Sequence, residues 1–162
     1  MNAAHLHIIL VHLPVILVPT ATILLAVALW RKQSAIANTA LSLFVAATVF
    51  VVPAFLLGDD AEEIVEDLPG ISEDSIEEHE EAADVAFWIT LFAGGVALLS
   101  LAVSKKAPGL HHTSLKALVL VGTVASGALA YAASEGGRIR HPEAYDTAVS
   151  SSSHEHHEGH ED

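Results

Sequence analysis

Four apolar stretches, at about residues 8–30, 35–57, 85–104 and 117–134, contain no Asp, Glu, Lys or Arg. At about 1.5 Å rise per residue, each is long enough as a helix to cross a hydrocarbon core of roughly 30 Å. A helix also pairs its own backbone donors and acceptors where no water can do so. Buried helices of a soluble domain this size would be shorter or amphipathic, and 52% hydrophobic residues exceed what such a domain carries. The predicted fold class is therefore all-α: a four-helix transmembrane bundle over residues 1–148, followed by a disordered His/Glu-rich tail over 149–162. The first stretch lacks a basic leader and is too long for a cleaved signal, so it is read as a span.

Charge sets the expected orientation. Arg31 and Lys32 follow the first span, and Lys105, Lys106 and Lys116 lie between the third and fourth, so these two connections are predicted to face the cytoplasm. All 20 Asp and Glu residues fall between Asp59 and Asp84 or after the fourth span. Both termini are then outside a bacterial inner (cytoplasmic) membrane, in a multi-pass arrangement. A net charge of −13 concentrated there argues against nucleic acid and favours cations or a basic partner. There is no cysteine, hence no disulfide, thiolate metal site or thiol nucleophile.

Pro14, Pro19 and Pro53 lie inside spans, where kinks are expected. Between the second and third spans, AEEIVEDL reads as a short extramembrane helix ended by Pro69 and Gly70. Ser72 or Ser75 can cap the next helix, with Glu78 completing a capping box after Ser75. A helix running from Ser75 to Ser104 would be about 45 Å long, so its first turns project outward. In the fourth span Gly122, Ser126, Ala130 and Ser134 form an i+4 seam of small residues that admits a close helix neighbour and leaves room for an oligomer. Gly136 and Gly137 are expected to end that helix.

Histidine is the conspicuous functional residue type. Of the 11 histidines, only His111 and His112 lie on the basic side, in what reads as a solvated loop. His12 sits about one turn inside the first span, where an unpartnered imidazole is costly; His5 shares its face, and His7 is expected to point the other way. His79, in EEHEE, heads a stripe of small residues through Ala83, Ala86, Thr90, Ala93, Gly94 and Ala97. Such a stripe means close helix packing or clearance for a flat macrocycle. Arg138 and Arg140 precede His141 and can bridge loop carboxylates or clamp an anionic group. The tail histidines His154, His156, His157 and His160 alternate with Glu155 and Glu158, a pattern that binds divalent ions weakly.

With GDDAEEIVEDLPG, SIEEHEEAA and GGRIRHPE in place, residues 5–145 resemble an uncharacterised family of small four-helix bacterial membrane proteins. The chain is also distantly similar to domain-of-unknown-function membrane families whose first helix carries His-x-Pro, here His12-Leu13-Pro14. The resemblance implies that His12, His79, His141 and the Gly58-Asp59 and Gly136-Gly137 turns are the positions to watch.

Three functions fit these residues. The first is a membrane redox protein holding b-type haem at the periplasmic boundary for electron transfer. His12 and His79 would be its axial ligands, and Arg138 or Arg140 would lie near the propionates. The second is a non-haem site in which His12, His79 and His141 join Glu62, Glu63 or Glu80 around zinc, iron or copper. The third is an accessory subunit whose acidic face docks a soluble cytochrome or other redox subunit. No HExxH, P-loop or GxSxG motif is present, which argues against catalysis and leaves a hydrolytic enzyme, beside a sensor or carrier, as an alternative form of the non-haem site. A transporter fits less well, because no ionisable residue is expected at midplane in the second or fourth span.

Overall fold

A computed structural model describes residues 2–66 and 68–145. The tail from Val149, with the metal-binding pattern expected of it, lies outside the described residues. The chain is all-α, with α1 (Ala3–Arg31), α2 (Ser34–Leu56), α3 (Gly58–Val65), α4 (Glu73–Val103) and α5 (Pro108–Arg140), and a 3-10 turn at Pro142–Ala144. Four of these, α1, α2, α4 and α5, are long and apolar enough to cross a membrane. α3 is the short helix expected between the second and third spans, starting at Gly58 rather than Ala61.

The four long helices pack in the cyclic order α1, α2, α4, α5, so α1 lies diagonally across the bundle from α4. One end carries the start of α1, the end of α2, α3, the start of α4 and the end of α5; it holds the acidic residues and is called the acidic end below. Arg31, Lys32, Lys105 and Lys106 mark the basic end. Ile8, Ile16, Ile23, Val49, Leu98, Leu99 and Leu120 are each more than half exposed, as side chains facing lipid should be.

The interior is built from small residues. Ala86, Thr90, Ala93, Gly94 and Ala97 of α4 are all buried, so the small stripe below His79 is a helix-packing surface. A β-carbon at Gly94 would collide with the Thr48 side chain of α2. The Thr48 hydroxyl donates to the Phe44 carbonyl at 3.1 Å and reaches the Thr90 carbonyl at 3.3 Å. At Gly122 of α5 a β-carbon would stand 2.7 Å from the Phe44 ring, too close for a packed contact. With little driving force from lipid exclusion, this close approach is where dispersion can act between helices.

Several sequence expectations change. The buried line of α5 runs through Leu115, Leu118, Gly122, Ala125, Leu129, Ala132 and Glu135 rather than along the i+4 seam, of which Ala130 is exposed. Successive i+4 steps advance about 40° around a helix, so a strict i+4 row leaves the contact face after two or three turns. Gly136 and Gly137 do not end the helix, which continues to Arg140. At its other end α5 begins at Pro108, whose fixed φ and missing donor suit a first helical position, so His111, His112 and Lys116 are helical. The Ser75 capping box is not formed: α4 starts at Glu73 with Ser72 in the capping position. α1 begins at Ala3, where the Asn2 side chain accepts the His5 amide at 3.0 Å.

Candidate functional site

The phase of α1 decides which histidine enters the bundle. Its buried residues are Pro14, Val18, Ala21, Thr22, Leu25 and Ala28. Pro14, Ala21 and Ala28 recur at intervals of seven, and one further interval toward the N-terminus reaches His7. His12 is about 140° away around the helix and exposed, its Nδ1 bonded to the Ile8 carbonyl one turn back. His7 does point the other way from His12, as expected, but it is His7 and not His12 that faces the bundle.

His7 and His79 face each other diagonally across the acidic end, ring centroids 6.5 Å apart and planes at 82°. Each is held by a backbone carbonyl of a third helix. His7 Nδ1 donates to Ala54 O at 2.8 Å. Ala54 lies in the last turn of α2, where carbonyls lack an intrahelical donor, so the imidazole serves as a cap. His79 Nδ1 donates to Ala132 O at 2.9 Å, in the body of α5. That carbonyl already accepts within the helix, and its second lone pair is reached because the next turn presents Gly136: a β-carbon there would stand 3.0 Å from the His79 ring. A carbonyl only accepts, so each Nδ1 carries a proton, and in the neutral ring Nε2 is the nitrogen left with a lone pair. This is the arrangement found in metal-ligating histidines.

Around this pair the acidic end is cross-linked by charge. Glu135, placed after the fourth span by the sequence reading, is inside α5 and 3% exposed. Its carboxylate is 2.9 Å from the Arg138 guanidinium, a charge contact off the hydrogen-bonding direction, and the same guanidinium donates to Glu78 at 3.2 Å. Arg138 also lies over the Tyr145 ring at 5.5 Å, with Tyr145 packed where Gly137 has no side chain. Arg138 therefore bridges carboxylates, one of the two roles the sequence allowed for it. Arg140 is exposed and, among the described residues, within ion-pair reach of no carboxylate.

The remaining candidates are dispersed. The Glu80 side chain of α4, within hydrogen-bonding reach of Glu62 of α3, together with desolvation and the charge of Asp59, holds the Glu62 carboxyl above its ordinary range. Glu63 is exposed. His141 lies 3.2 Å from Glu143 on the exposed 3-10 turn. Among the described residues no three His, Asp or Glu side chains converge as a metal-ion cage.

At the basic end His111 is partly buried rather than in a solvated loop. Its Nδ1 lies 2.8 Å from the hydroxyl of Ser100, which is 1% exposed, and the Ser114 hydroxyl donates to Ser100 Oγ at 2.8 Å. This network ties the first turn of α5 to the last turns of α4. It escaped the sequence reading because the helix was started too late, at 117.

The site and fold define a small multi-pass membrane protein with a pinned imidazole pair at one end. No protein family, curated protein or solved structure matches the chain, and no family is identified for it.

Proposed function

We propose that the protein holds a redox cofactor between His7 and His79 and transfers electrons at the membrane boundary, b-type haem being the group that suits this donor set. The observation that carries the reading is the pair of imidazoles with both Nδ1 protons fixed on helix carbonyls. The two imidazoles, on opposing helices, supply two ligands. A bare zinc ion takes three or four protein ligands, more than this pair supplies, whereas haem would need only two from the chain. His7 and His79, with rings 6.5 Å apart, are the residues that would hold the group. When bound, haem would supply reversible one-electron chemistry; the chain positions the imidazoles and holds each Nδ1 on a helix carbonyl.

The carboxylates crowded at that end, Glu62, Glu80 and Asp59 among them, favour a cationic redox partner, such as a soluble cytochrome, there. With basic connections toward the cytoplasm, that end is periplasmic in a bacterial inner membrane.

Purified protein, from cells supplied with iron and haem precursor, should show Soret and alpha bands. His7→Ala and His79→Ala should each shift or abolish them, while His12→Ala should leave them unchanged. A colourless wild type that gains no Soret band on haem titration would refute the proposal.

A further inference from the structure

Between the acidic-end halves of α4 and α5 the surface carries a hollow lined by Glu78, Glu81, Ala82 and Val85 of α4 and Ala128 and Tyr131 of α5. On α4 these residues fall at i, i+3, i+4 and i+7, a single stripe, and the alanines make the floor because they leave space between the helices. The lining changes character along the helix axis. Glu78 and Glu81 stand at the head, while Val85, 56% exposed, and Tyr131, 59% exposed, form walls where the apolar span begins. Trp88 continues the stripe one turn further and is 62% exposed, as suits an indole at the level of lipid headgroups.

The two carboxylates are not equivalent. Glu78 has Arg138 at 3.2 Å, a cation it shares with the buried Glu135. Glu81, among the described residues, has no cation within ion-pair distance. A free carboxylate beside an aromatic face, above an apolar wall that opens on lipid, complements a positive group carried on an acyl-chain molecule. We propose that this hollow binds the ammonium headgroup of a zwitterionic phospholipid from the leaflet at the acidic end. Glu81 is the counter-ion, Tyr131 the π surface, and Val85 and Trp88 flank the upper part of the acyl chains. The proposal is independent of the histidine pair.

Trp88 is a built-in probe once the other tryptophan is removed. The Trp30→Phe protein is placed in phosphatidylglycerol vesicles containing a minor fraction of brominated-chain phosphatidylethanolamine or, for comparison, brominated-chain phosphatidylglycerol. Quenching of Trp88 should give a relative binding constant about fivefold higher for the ethanolamine lipid. Glu81→Gln should remove that preference and Tyr131→Ala should reduce it. Glu77→Gln, which removes an equal charge from a residue outside the hollow, should leave it in place. Equal quenching by the two lipids would overturn the proposal, as would a preference that survives Glu81→Gln or falls equally in Glu77→Gln. Soluble ethanolamine in excess should not compete; competition would make the site one for small amines and also overturn it.

Discussion

At His79 the decisive neighbour is a glycine. The ring reaches the Ala132 carbonyl across the space where Gly136 has no β-carbon, so Gly136→Ala must displace the ring or stretch its hydrogen bond. A helical Gly→Ala change ordinarily adds about 0.5–1 kcal/mol of stability. Here the expected sign is reversed, with a loss of about 1 kcal/mol from the broken bond. Gly127, exposed and with open space around it, supplies the control: Gly127→Ala should raise the unfolding temperature in detergent while Gly136→Ala lowers it. Glu135 gives a second test at this scale. Removing Arg138 strands a buried carboxylate, so Arg138→Ala should cost about 1–3 kcal/mol, at the lower end because Arg138 is itself partly exposed. Glu135→Gln should cost less, and combining it with Arg138→Ala should recover part of the loss in a double-mutant cycle.

Among the elements, α3 is the one whose attachment depends on pH. Its Glu62 is held above the ordinary glutamate range by the hydrogen bond to Glu80, so the folded state binds that proton more tightly than the unfolded chain. The contribution is fully present below the ordinary value of 4.5 and is lost as pH rises through the raised folded value. Amides of α3 should therefore exchange more slowly at pH 4 than at pH 7, relative to the intrinsic rates. Glu62→Gln, which keeps a donor at all pH values, should flatten the difference; equal protection in the wild type at both pH values would contradict the account. The long helices tie down differently at their two ends. The acidic ends of α4 and α5 are joined by Arg138–Glu78 and His79–Ala132, the basic ends by Ser100, His111 and Ser114.

For the whole molecule, the segregation of charge predicts that the acidic end faces away from the cytoplasm. The chain has no cysteine, so single introduced cysteines report without background. Glu63→Cys should react with a membrane-impermeant maleimide in intact spheroplasts, and Lys106→Cys only after permeabilisation. The reverse pattern would invert the topology and place the histidine pair on the cytoplasmic side.

Length and hydropathy alone determined four spans, a short acidic helix between the second and third, and two chemically opposite ends, because the cost of placing charge or unpaired backbone in hydrocarbon depends on composition rather than on partners. His79 was also legible, as a titratable residue heading a stripe of small ones. Its partner was not, since the sequence marks His12 by its depth in an apolar run, and depth says nothing about helix phase. Phase is set by which residues of α1 pack on α2 and α5, and that packing turns His7 inward and His12 toward lipid. Gly136 was misread for a related reason: isolated, a Gly-Gly pair loosens a helix, but next to an imidazole seeking a carbonyl the missing side chains are what let two helices meet. The buried Glu135 follows from the same continuation of α5 past the glycines, where His79 and Tyr145 pack against Gly136 and Gly137.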